Sequence, residues 1–125
     1  MLRGVDQRVK DALARAGVRS LWQLVERGLT ARERRELARK AGVSEGAVLK
    51  LARVADMCRV CDVLLAELLV EAGVHTPFEL PLRPLEELCV MTSSAAQRLG
   101  VPPVGWGELE EVRRRARGLP PLFDY

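Results

Sequence analysis

The segment from Ser44 to Val74 places the strongest constraint on the fold of this chain. It reads SEGAVLKLARVADM, CRVCD and VLLAELLVEAGV, which is a helical pattern, a very short connection and a second helical pattern. The stretch VLLAELLV has one charge in eight residues, so a helix with this sequence must be buried on most of its sides. The segment therefore predicts two helices joined by a tight hairpin at the centre of an all-helical core.

Composition is compatible with one domain around such a core. Of the 125 residues, 48% are hydrophobic and 30% are charged, whereas only 4% are aromatic. So few aromatic rings argue against a base-stacking surface for single-stranded nucleic acid. The opening MLRGVDQRVK is polar, and no run of about 18 apolar residues occurs. We therefore expect no secretory signal, no membrane partner and a cytoplasmic location, which the odd number of cysteines also favours.

The charge is unevenly distributed along the chain. Residues 1–56 carry 13 Lys and Arg against 7 Asp and Glu, whereas residues 57–125 carry 7 against 10. This asymmetry indicates a face for an anionic partner such as nucleic acid, with a helical scaffold behind it. The 17 Arg against 3 Lys also fit a GC-rich genome, which would raise the Arg content everywhere. Both interpretations stay open at this point.

Capping residues and glycines predict where the helices begin and end. Ser20, Thr30 and Thr76 each open a capping box, and Ser44 caps the central helix. Glycines follow most of the apolar periodic segments, as expected at helix C-termini. The predicted helices cover residues 7–16, 21–27, 31–41, 45–57, 63–72, 85–91, 93–99 and 107–117. The break after residue 91 is placed at Thr92 or Ser93, and we predict no β-strand.

An internal repeat appears when the chain is shifted by 56 residues. The tripeptide Ala-Gly-Val at 16–18 then meets the same tripeptide at 72–74, and the capping residue Ser20 meets Thr76. Such agreement of helix, stop and cap is typical of a duplicated supersecondary unit. Further aligned pairs are Arg3 with Arg59, Asp6 with Asp62, Leu13 with Leu69, Trp22 with Phe78 and Leu24 with Leu80. We place repeat 1 at residues 2–28, repeat 2 at 44–82 and the C-terminal helices at 84–118.

Four segments carry a resemblance to a known family. They read LRGVDQRVKDALARAGVRSLWQLVERG, LTARERRELARKAGVSEGAVLKLARVADMCRV, ELLVEAGVHTPFEL and GELEEVRRRARGL. With them, nearly the whole chain resembles the tandem helix-hairpin-helix proteins grouped as domain of unknown function 4332. The resemblance implies an all-α, compact single domain over residues 1–125, built from two pseudo-repeated helix-hairpin-helix units of the SAM-like architecture. It also implies binding to the DNA backbone without reading of sequence.

The hairpins of this chain depart from the motif that grips phosphate. A glycine–apolar–glycine hairpin lets backbone N–H groups approach a phosphate beside the positive end of a helix dipole. Here Gly4-Val5-Asp6 keeps one glycine and Val60-Cys61-Asp62 keeps neither. An Asp at a helix start would cap the free N–H groups itself and repel phosphate. We therefore expect the first hairpin to provide the contact, and the candidate residues are Arg3, Gly4, Val5, Gln7 and Arg8, assisted by Arg59.

A second candidate contact is a stripe of arginines on the third helix. Arg32, Arg35 and Arg39 fall on one side of it, with Arg34 and Lys40 beside them. Such a stripe can neutralise phosphates and would make binding strongly salt-dependent. It is also the pattern of an ordinary solvated helix face.

The sequence also contains patterns for two other kinds of site, a DNA-binding helix-turn-helix and a zinc site. ELARKAGVSEGAVLKL also fits a DNA-binding helix-turn-helix, in which Glu45, Lys50 and Arg53 would face the major groove. The family resemblance favours an ordinary corner between two helices. Separately, Cys58 and Cys61 have the spacing of zinc ligands, and His75 and Cys89 could complete the set.

A single CxxC is weak evidence, so we expect structural cysteines, no metal and no cofactor. No phosphate loop, hydrolase elbow or carboxylate cluster is present in the sequence, and the chain is interpreted as a non-enzyme. The leading hypothesis is a small module that binds nucleic acid, DNA rather than RNA, without sequence specificity. The alternative is a protein-interaction or scaffold module with degenerate hairpins. In that case an apolar surface that includes Trp106, Leu122, Phe123 and Tyr125 would meet a partner or a second copy of the chain.

Overall fold

The computed structural model describes residues 7–125, and this part of the chain is all-helical. It contains seven α-helices and one 3₁₀ helix, and its only extended pairing is a single parallel bridge between Thr30 and Asp124. The α-helices are α1 (Gln7–Arg15), α2 (Leu21–Arg27), α3 (Ala31–Ala41), α4 (Glu45–Met57), α5 (Val63–Glu71), α6 (Leu85–Leu99) and α7 (Trp106–Ala116), and the 3₁₀ helix is Pro77–Glu79. The prediction of an all-α chain is confirmed over this range. No helix in it has the length and apolar character needed to cross a bilayer.

The described residues fall into two compact units. The N-terminal unit contains residues 7–56 and 121–125, and the C-terminal unit contains residues 57–120. In the N-terminal unit α3 packs against α1 and α2. In the C-terminal unit α6 packs against α5 and α7, and α7 also contacts the 3₁₀ helix. That the chain is a single domain stays a prediction.

Helix starts in the N-terminal unit follow the predicted caps. The Ser20 hydroxyl accepts a hydrogen bond from the Gln23 N–H at 3.1 Å, and the Ser44 hydroxyl accepts one from the Ala47 N–H at 3.1 Å. The Thr30 hydroxyl accepts from the Glu33 N–H at 3.1 Å, while the Glu33 carboxylate accepts from the Thr30 N–H at 3.3 Å. Each cap satisfies a backbone donor that the first turn of a helix leaves open. As a result α2 and α3 begin at the predicted residues, Leu21 and Ala31.

Four helices end in the same glycine motif. In α1 the Gly17 N–H donates to the Ala14 carbonyl at 3.0 Å and the Val18 N–H donates to the Leu13 carbonyl at 2.8 Å. This pair of bonds is the Schellman arrangement, which requires a left-handed residue and therefore favours glycine. The same bonds, with Gly followed by Val, close α3, α5 and α6 at Gly42, Gly73 and Gly100.

Local geometry recurs at the 56-residue spacing seen in the sequence. Helix α1 begins at Gln7 and α5 begins at Val63, and both are nine residues long. The glycine φ angles that follow are 94° at Gly17 and 101° at Gly73. After each glycine, a backbone N–H donates to a side-chain oxygen four residues ahead, Arg19 to Gln23 at 2.6 Å and His75 to Glu79 at 2.8 Å. The two segments thus have the same local backbone arrangement.

The predicted break at Thr92 or Ser93 is wrong, because α6 is continuous from Leu85 to Leu99. Thr92 is fully buried, and its hydroxyl donates to the Leu88 carbonyl one turn earlier at 2.8 Å. A threonine can therefore satisfy its own hydroxyl inside a helix without ending it. Neither glycine nor proline occurs between Leu85 and Leu99, so no residue there interrupts the helical backbone.

The C-terminal residues belong to the core of the N-terminal unit. Phe123 is 7% exposed and packs against Ala52 and Ala55 of α4. Leu21, Val25 and Leu29 complete this cluster. The predicted apolar stripe of α4, Val48, Leu51, Ala52 and Ala55, is buried throughout.

The C-terminal unit contains the most apolar helix of the chain. All six residues from Leu65 to Val70 in α5 are buried, as the sequence predicts. Glu67, the charged residue of this stretch, is only 5% exposed. On α7 the predicted inward residues Leu109, Val112 and Ala116 are also buried.

Candidate nucleic-acid interface

The arginine stripe of α3 lies on the surface of the N-terminal unit. The side chains of Arg32 and Arg35 are 85% and 64% exposed, and Arg39 is also exposed. With Glu36, these arginines line a shallow depression of about 320 Å³. The structure therefore brings together the three stripe residues named from sequence. Their spacing places them on successive turns of one helix face.

Two of the three arginines have a carboxylate within ion-pair distance. Arg32 Nε lies 3.5 Å from Glu36 Oε1, and Arg35 Nε lies 3.5 Å from Glu45 Oε1. Exposed pairs of this length contribute little to stability and break easily. Arg39 has no ion pair within the range that the structure describes. A phosphate that binds here would have to replace two weak ion pairs. At Arg39 it would displace no ion pair of the described residues.

Arg34 is adjacent to the stripe in sequence but has a different role. It is 4% exposed, and its Nη1 donates to the Gly28 and Leu29 carbonyls at 2.8 and 3.1 Å. Its Nη2 donates to the Asp124 carbonyl at 2.8 Å. A sequence signal was available, because Arg34 stands at helical spacing from the buried residues Leu37 and Ala38. Arg34 therefore holds the C-terminal segment and does not belong to the exposed basic face.

The last residue of the chain is held by the same guanidinium. Arg34 lies over the Tyr125 ring, 5.1 Å from its centre, and the Tyr125 hydroxyl donates to Asp56 Oδ2 at 2.9 Å. Burial, with the Asp56 charge as the next cause, raises the pKa of the Tyr125 phenol above its usual range. The sequence did not predict this contact, because Arg34, Asp56 and Tyr125 are far apart along the chain.

The first hairpin can be described only in part. Arg3, Gly4 and Val5 lie outside the described residues. Gln7 and Arg8 are exposed at the start of α1, and the Gln7 amide donates to Asp11 Oδ1 at 2.9 Å. The two described members of the predicted contact are thus accessible to solvent.

In the second hairpin, Arg59 and Asp62 make hydrogen bonds within the C-terminal unit. The Asp62 carboxylate accepts a hydrogen bond from the Leu65 N–H at 2.8 Å and so caps α5. The Arg59 guanidinium donates to the Pro120 carbonyl. Asp62 therefore takes a helix N–H that a phosphate would need, as the sequence predicts. Arg59 already has a partner within the protein.

The helix-turn-helix alternative finds little support in the positions of its three residues. The Glu45 side chain is 63% exposed and lies near Arg35, but Lys50 and Arg53 are half-buried. Arg53 Nε is buried and has no hydrogen-bond partner among the described residues. A recognition helix needs long side chains that project freely into a groove. Helix α4 instead has much of its surface in the core.

The four candidate zinc ligands do not come together. Within residues 7–125, no group of three or more His, Cys, Asp and Glu side chains is placed to hold a metal ion. Burial raises the pKa of the Cys58 thiol to about 11 and that of Cys61 to about 12, and nearby negative charge adds to both shifts. Cys61 Sγ contacts the Met57 carbonyl at 3.4 Å. The raised pKa values make both thiols harder to deprotonate, which disfavours metal binding and nucleophilic reactivity.

The apolar surface suggested for a protein partner needs one correction. Phe123 is buried in the N-terminal unit, because its ring fills the cluster beside α4, and it cannot contact a partner. Trp106, Leu122 and Tyr125 are 49%, 38% and 42% exposed. Trp22, which was not assigned to this surface, is more exposed than any of them at 71%.

Comparisons with known proteins identify the family but give no characterised relative. No curated protein and no solved structure matches the chain. The family described as "Domain of unknown function (DUF4332)" matches residues 3–101, which is more than half of the sequence. The chain therefore belongs to the domain of unknown function family DUF4332.

Proposed function

We propose that this protein is a non-catalytic module that binds the backbone of nucleic acid, DNA rather than RNA, without sequence specificity. The observation that carries the proposal is the exposed arrangement of Arg32, Arg35 and Arg39 around one depression on α3. The excess of basic residues in positions 1–56 supports it. Phosphate contacts of this kind provide affinity and position but carry no sequence information.

The dimensions of the stripe suit a row of phosphates. Arg32 and Arg39 are separated by seven residues, which is roughly 10 Å along the helix axis. One DNA strand presents a phosphate about every 3.4 Å of duplex axis, so roughly three phosphates fall within that length. Glu36 and Glu45 lie close to the stripe and would reduce the net attraction. We therefore expect affinities in the nonspecific range, with a dissociation constant of about 10⁻⁴ to 10⁻⁶ M.

We further propose that repeat 1, residues 2–28, and repeat 2, residues 44–82, descend from one duplicated helix-hairpin-helix motif. The equal lengths of α1 and α5 and the matched glycine turns after them support this origin. On this proposal the copy at the start of the chain binds phosphate through Arg3, Gly4 and Arg8. The copy at Val60-Cys61-Asp62 has become structural, since Asp62 caps its own helix.

A titration of labelled duplex DNA at two salt concentrations tests the proposal. The three stripe contacts alone predict a slope of log K against log salt of about −2.7, or roughly 40-fold weaker binding at 200 mM than at 50 mM salt, and each further contact at the first hairpin steepens the slope by about 0.9. The variant Arg32→Gln/Arg35→Gln/Arg39→Gln should bind roughly tenfold or more weakly at low salt. Absence of binding by the wild-type protein at low salt would refute the proposal.

A matched control variant removes three positive charges from the C-terminal unit. Arg114, Arg115 and Arg117 are exposed residues of the C-terminal unit. The variant Arg114→Gln/Arg115→Gln/Arg117→Gln should retain DNA affinity within about twofold if the α3 stripe is the contact. An equal loss in both variants would show that only the total charge matters. The pair Arg3→Gln/Arg8→Gln tests the first hairpin in the same assay, and an unchanged affinity would remove the hairpin from the proposed contact.

The alternative is a protein-interaction module, and exposed tryptophans favour it. Trp22 is 71% exposed and Trp106 is 49% exposed. Tryptophan is enriched in the energetically important parts of protein interfaces. A protein of this kind would give no salt-dependent DNA binding, so the same titration separates the two functions.

A further inference from the structure

A groove of about 260 Å³ opens on the surface of the C-terminal unit. Its walls come from α5, from the segment after α6 and from the start of α7. The apolar part of the lining includes Leu64, Leu68, Leu99, Val101, Pro102 and Pro103. Leu64 is 58% exposed although it belongs to the most apolar helix of the chain. An exposed leucine at the edge of an apolar groove favours contact with another molecule.

The charged residues of the groove are all acidic. Asp62, Glu67 and Glu108 line it, and neither Lys nor Arg is among its lining residues. This is a local reversal of sign in a chain whose net charge is +3. The Asp62 and Glu67 carboxylates also contribute to the raised pKa of the nearby Cys58 thiol, after burial as the main cause. The groove therefore combines an apolar lining with carboxylates that are complementary to positive charge.

The size and stiffness of the groove favour a peptide side chain over a small-molecule cofactor. Pockets for cofactors and drug-sized ligands usually hold about 300–1,000 Å³, which is more than this groove offers. Pro102 and Pro103 form part of the wall, and proline fixes the backbone φ angle. A wall that is already rigid costs little entropy when a partner binds.

We propose that this groove is a docking site for a cationic amphipathic segment of a partner protein. An apolar side chain of the segment packs against Leu64 and Leu68, while its Lys or Arg residues lie beside Glu108 and Asp62. The site is independent of the proposed DNA contact, because its residues belong to the other unit. It gives the protein-interaction alternative a defined surface and a defined class of partner.

Three labelled synthetic peptides test the proposal by fluorescence anisotropy with the full chain. The first is an amphipathic peptide of Leu and Lys, the second replaces Lys by Glu, and the third replaces Leu by Ser. We expect binding of the Leu/Lys peptide and at least roughly fivefold weaker binding of each of the others, because both charge and apolar contact are required. Equal affinity for the Leu/Lys and Ser/Lys peptides would reduce the interaction to nonspecific attraction and overturn the proposal. No binding of the Leu/Lys peptide would also overturn it.

Variants locate the peptide on the protein. Leu64→Ser and Glu108→Lys should each weaken binding of the Leu/Lys peptide by roughly fivefold or more. Leu82→Ser and Glu86→Lys are the matched controls, since Leu82 is 83% exposed and both residues lie outside the groove. Circular dichroism checks that each variant is folded. Glu108→Lys should also improve binding of the Leu/Glu peptide, a gain that misfolding cannot produce. If the controls lose as much affinity as the groove variants, the proposal is wrong.

Two further measurements separate this proposal from the others. Sedimentation equilibrium of the protein alone shows whether a second copy fills the groove, and self-association abolished by Leu64→Ser would assign the groove to that copy and overturn our proposal. Leu64→Ser should keep the wild-type DNA affinity, and the Arg32, Arg35 and Arg39 triple variant should keep its peptide affinity. Failure of one proposal would therefore leave the other testable.

Discussion

Tyr125 donates a 2.9 Å hydrogen bond to the buried carboxylate of Asp56 and so connects the last residue of the chain to α4. A buried carboxylate that loses a donor keeps the cost of its desolvation. We therefore expect Tyr125→Phe to lower the free energy of unfolding by about 1–3 kcal/mol. Urea denaturation measures the change. Leu122→Ala, at an exposed neighbouring residue, should change it by no more than about 0.5 kcal/mol. Equal stability of Tyr125→Phe and the wild type would show that the hydrogen bond between Tyr125 and Asp56 does not stabilise the fold.

Arg34 and Arg35 are adjacent in sequence, yet their substitution should have different consequences. Arg34 is buried and donates to three backbone carbonyls, whereas Arg35 is on the surface. Arg34→Met leaves the Gly28 and Asp124 carbonyls without this donor, whereas the Leu29 carbonyl still accepts from the Asp124 N–H, and the change should cost about 2–4 kcal/mol. Arg35→Met should stay within about 0.5 kcal/mol of the wild type. A lysine at position 34 offers one ammonium in place of a planar fork, so Arg34→Lys should recover only part of the loss. Similar stabilities of the two methionine variants would contradict the assignment.

Glycines 42 and 107 should respond in opposite directions to alanine. Gly42 has a φ of 73°, and a Cβ added there would meet no atom within 4 Å, so backbone strain is the only penalty. Gly42→Ala should therefore destabilise the protein by about 1 kcal/mol. Gly107 lies inside α7 without a positive φ and also has open space around it. Gly107→Ala should stabilise the protein by about 0.5 kcal/mol, because alanine loses less entropy in a helix. Thermal unfolding of both variants gives the two signs, and a shared sign would disprove the explanation.

Alkaline pH should weaken the fold through the two half-buried thiols of Cys58 and Cys61. The pKa values of Cys58 and Cys61 rise from 9.0 to about 11 and about 12 in the folded protein. Between these limits the unfolded chain releases protons that the folded chain retains. The stabilising contribution is therefore complete below pH about 9 and is lost as the pH rises towards about 12.

The alkaline prediction is checked by urea unfolding across that pH range. Cys58→Ala/Cys61→Ala should reduce the decline in stability, because the two thiols no longer contribute to it, while the raised pKa of the Tyr125 phenol still contributes above pH about 10. Cys89→Ala leaves both thiols in place and should keep the wild-type decline. If the double variant declines as steeply as the wild type, other groups control the alkaline behaviour.

Local sequence predicted helix limits well where the controlling residue lies within the same few positions. Ser20, Thr30 and Ser44 mark helix starts because each side chain can reach the N–H groups of the next turn. The break placed at Thr92 failed for a related reason, since the same kind of hydroxyl can also bond to a carbonyl one turn earlier.

The residues of the candidate site likewise include some that local sequence predicts and some that depend on distant contacts. Helical spacing was sufficient to place Arg32, Arg35 and Arg39 on one exposed face. The same spacing places Arg34 on the side of the buried residues Leu37 and Ala38, but its partner Asp124 is 90 positions away and no local pattern predicts that contact. The sequence predicts Phe123 on a surface, whereas the structure buries it against α4. No local pattern predicts that the short segment after α7 packs against a helix so much earlier in the chain.

The sequence by itself determined the helical class, most helix limits and the 56-residue spacing of the two similar segments, because caps and left-handed glycines act over a few residues. Only the tertiary structure decided that Tyr125 reaches Asp56, that Arg34 is buried beneath the C-terminal residues and that an acidic apolar groove opens beside α5. These contacts join residues distant in the chain. Their free energy comes from burial and desolvation, which depend on how the helices pack and cannot be read from spacing along a single helix.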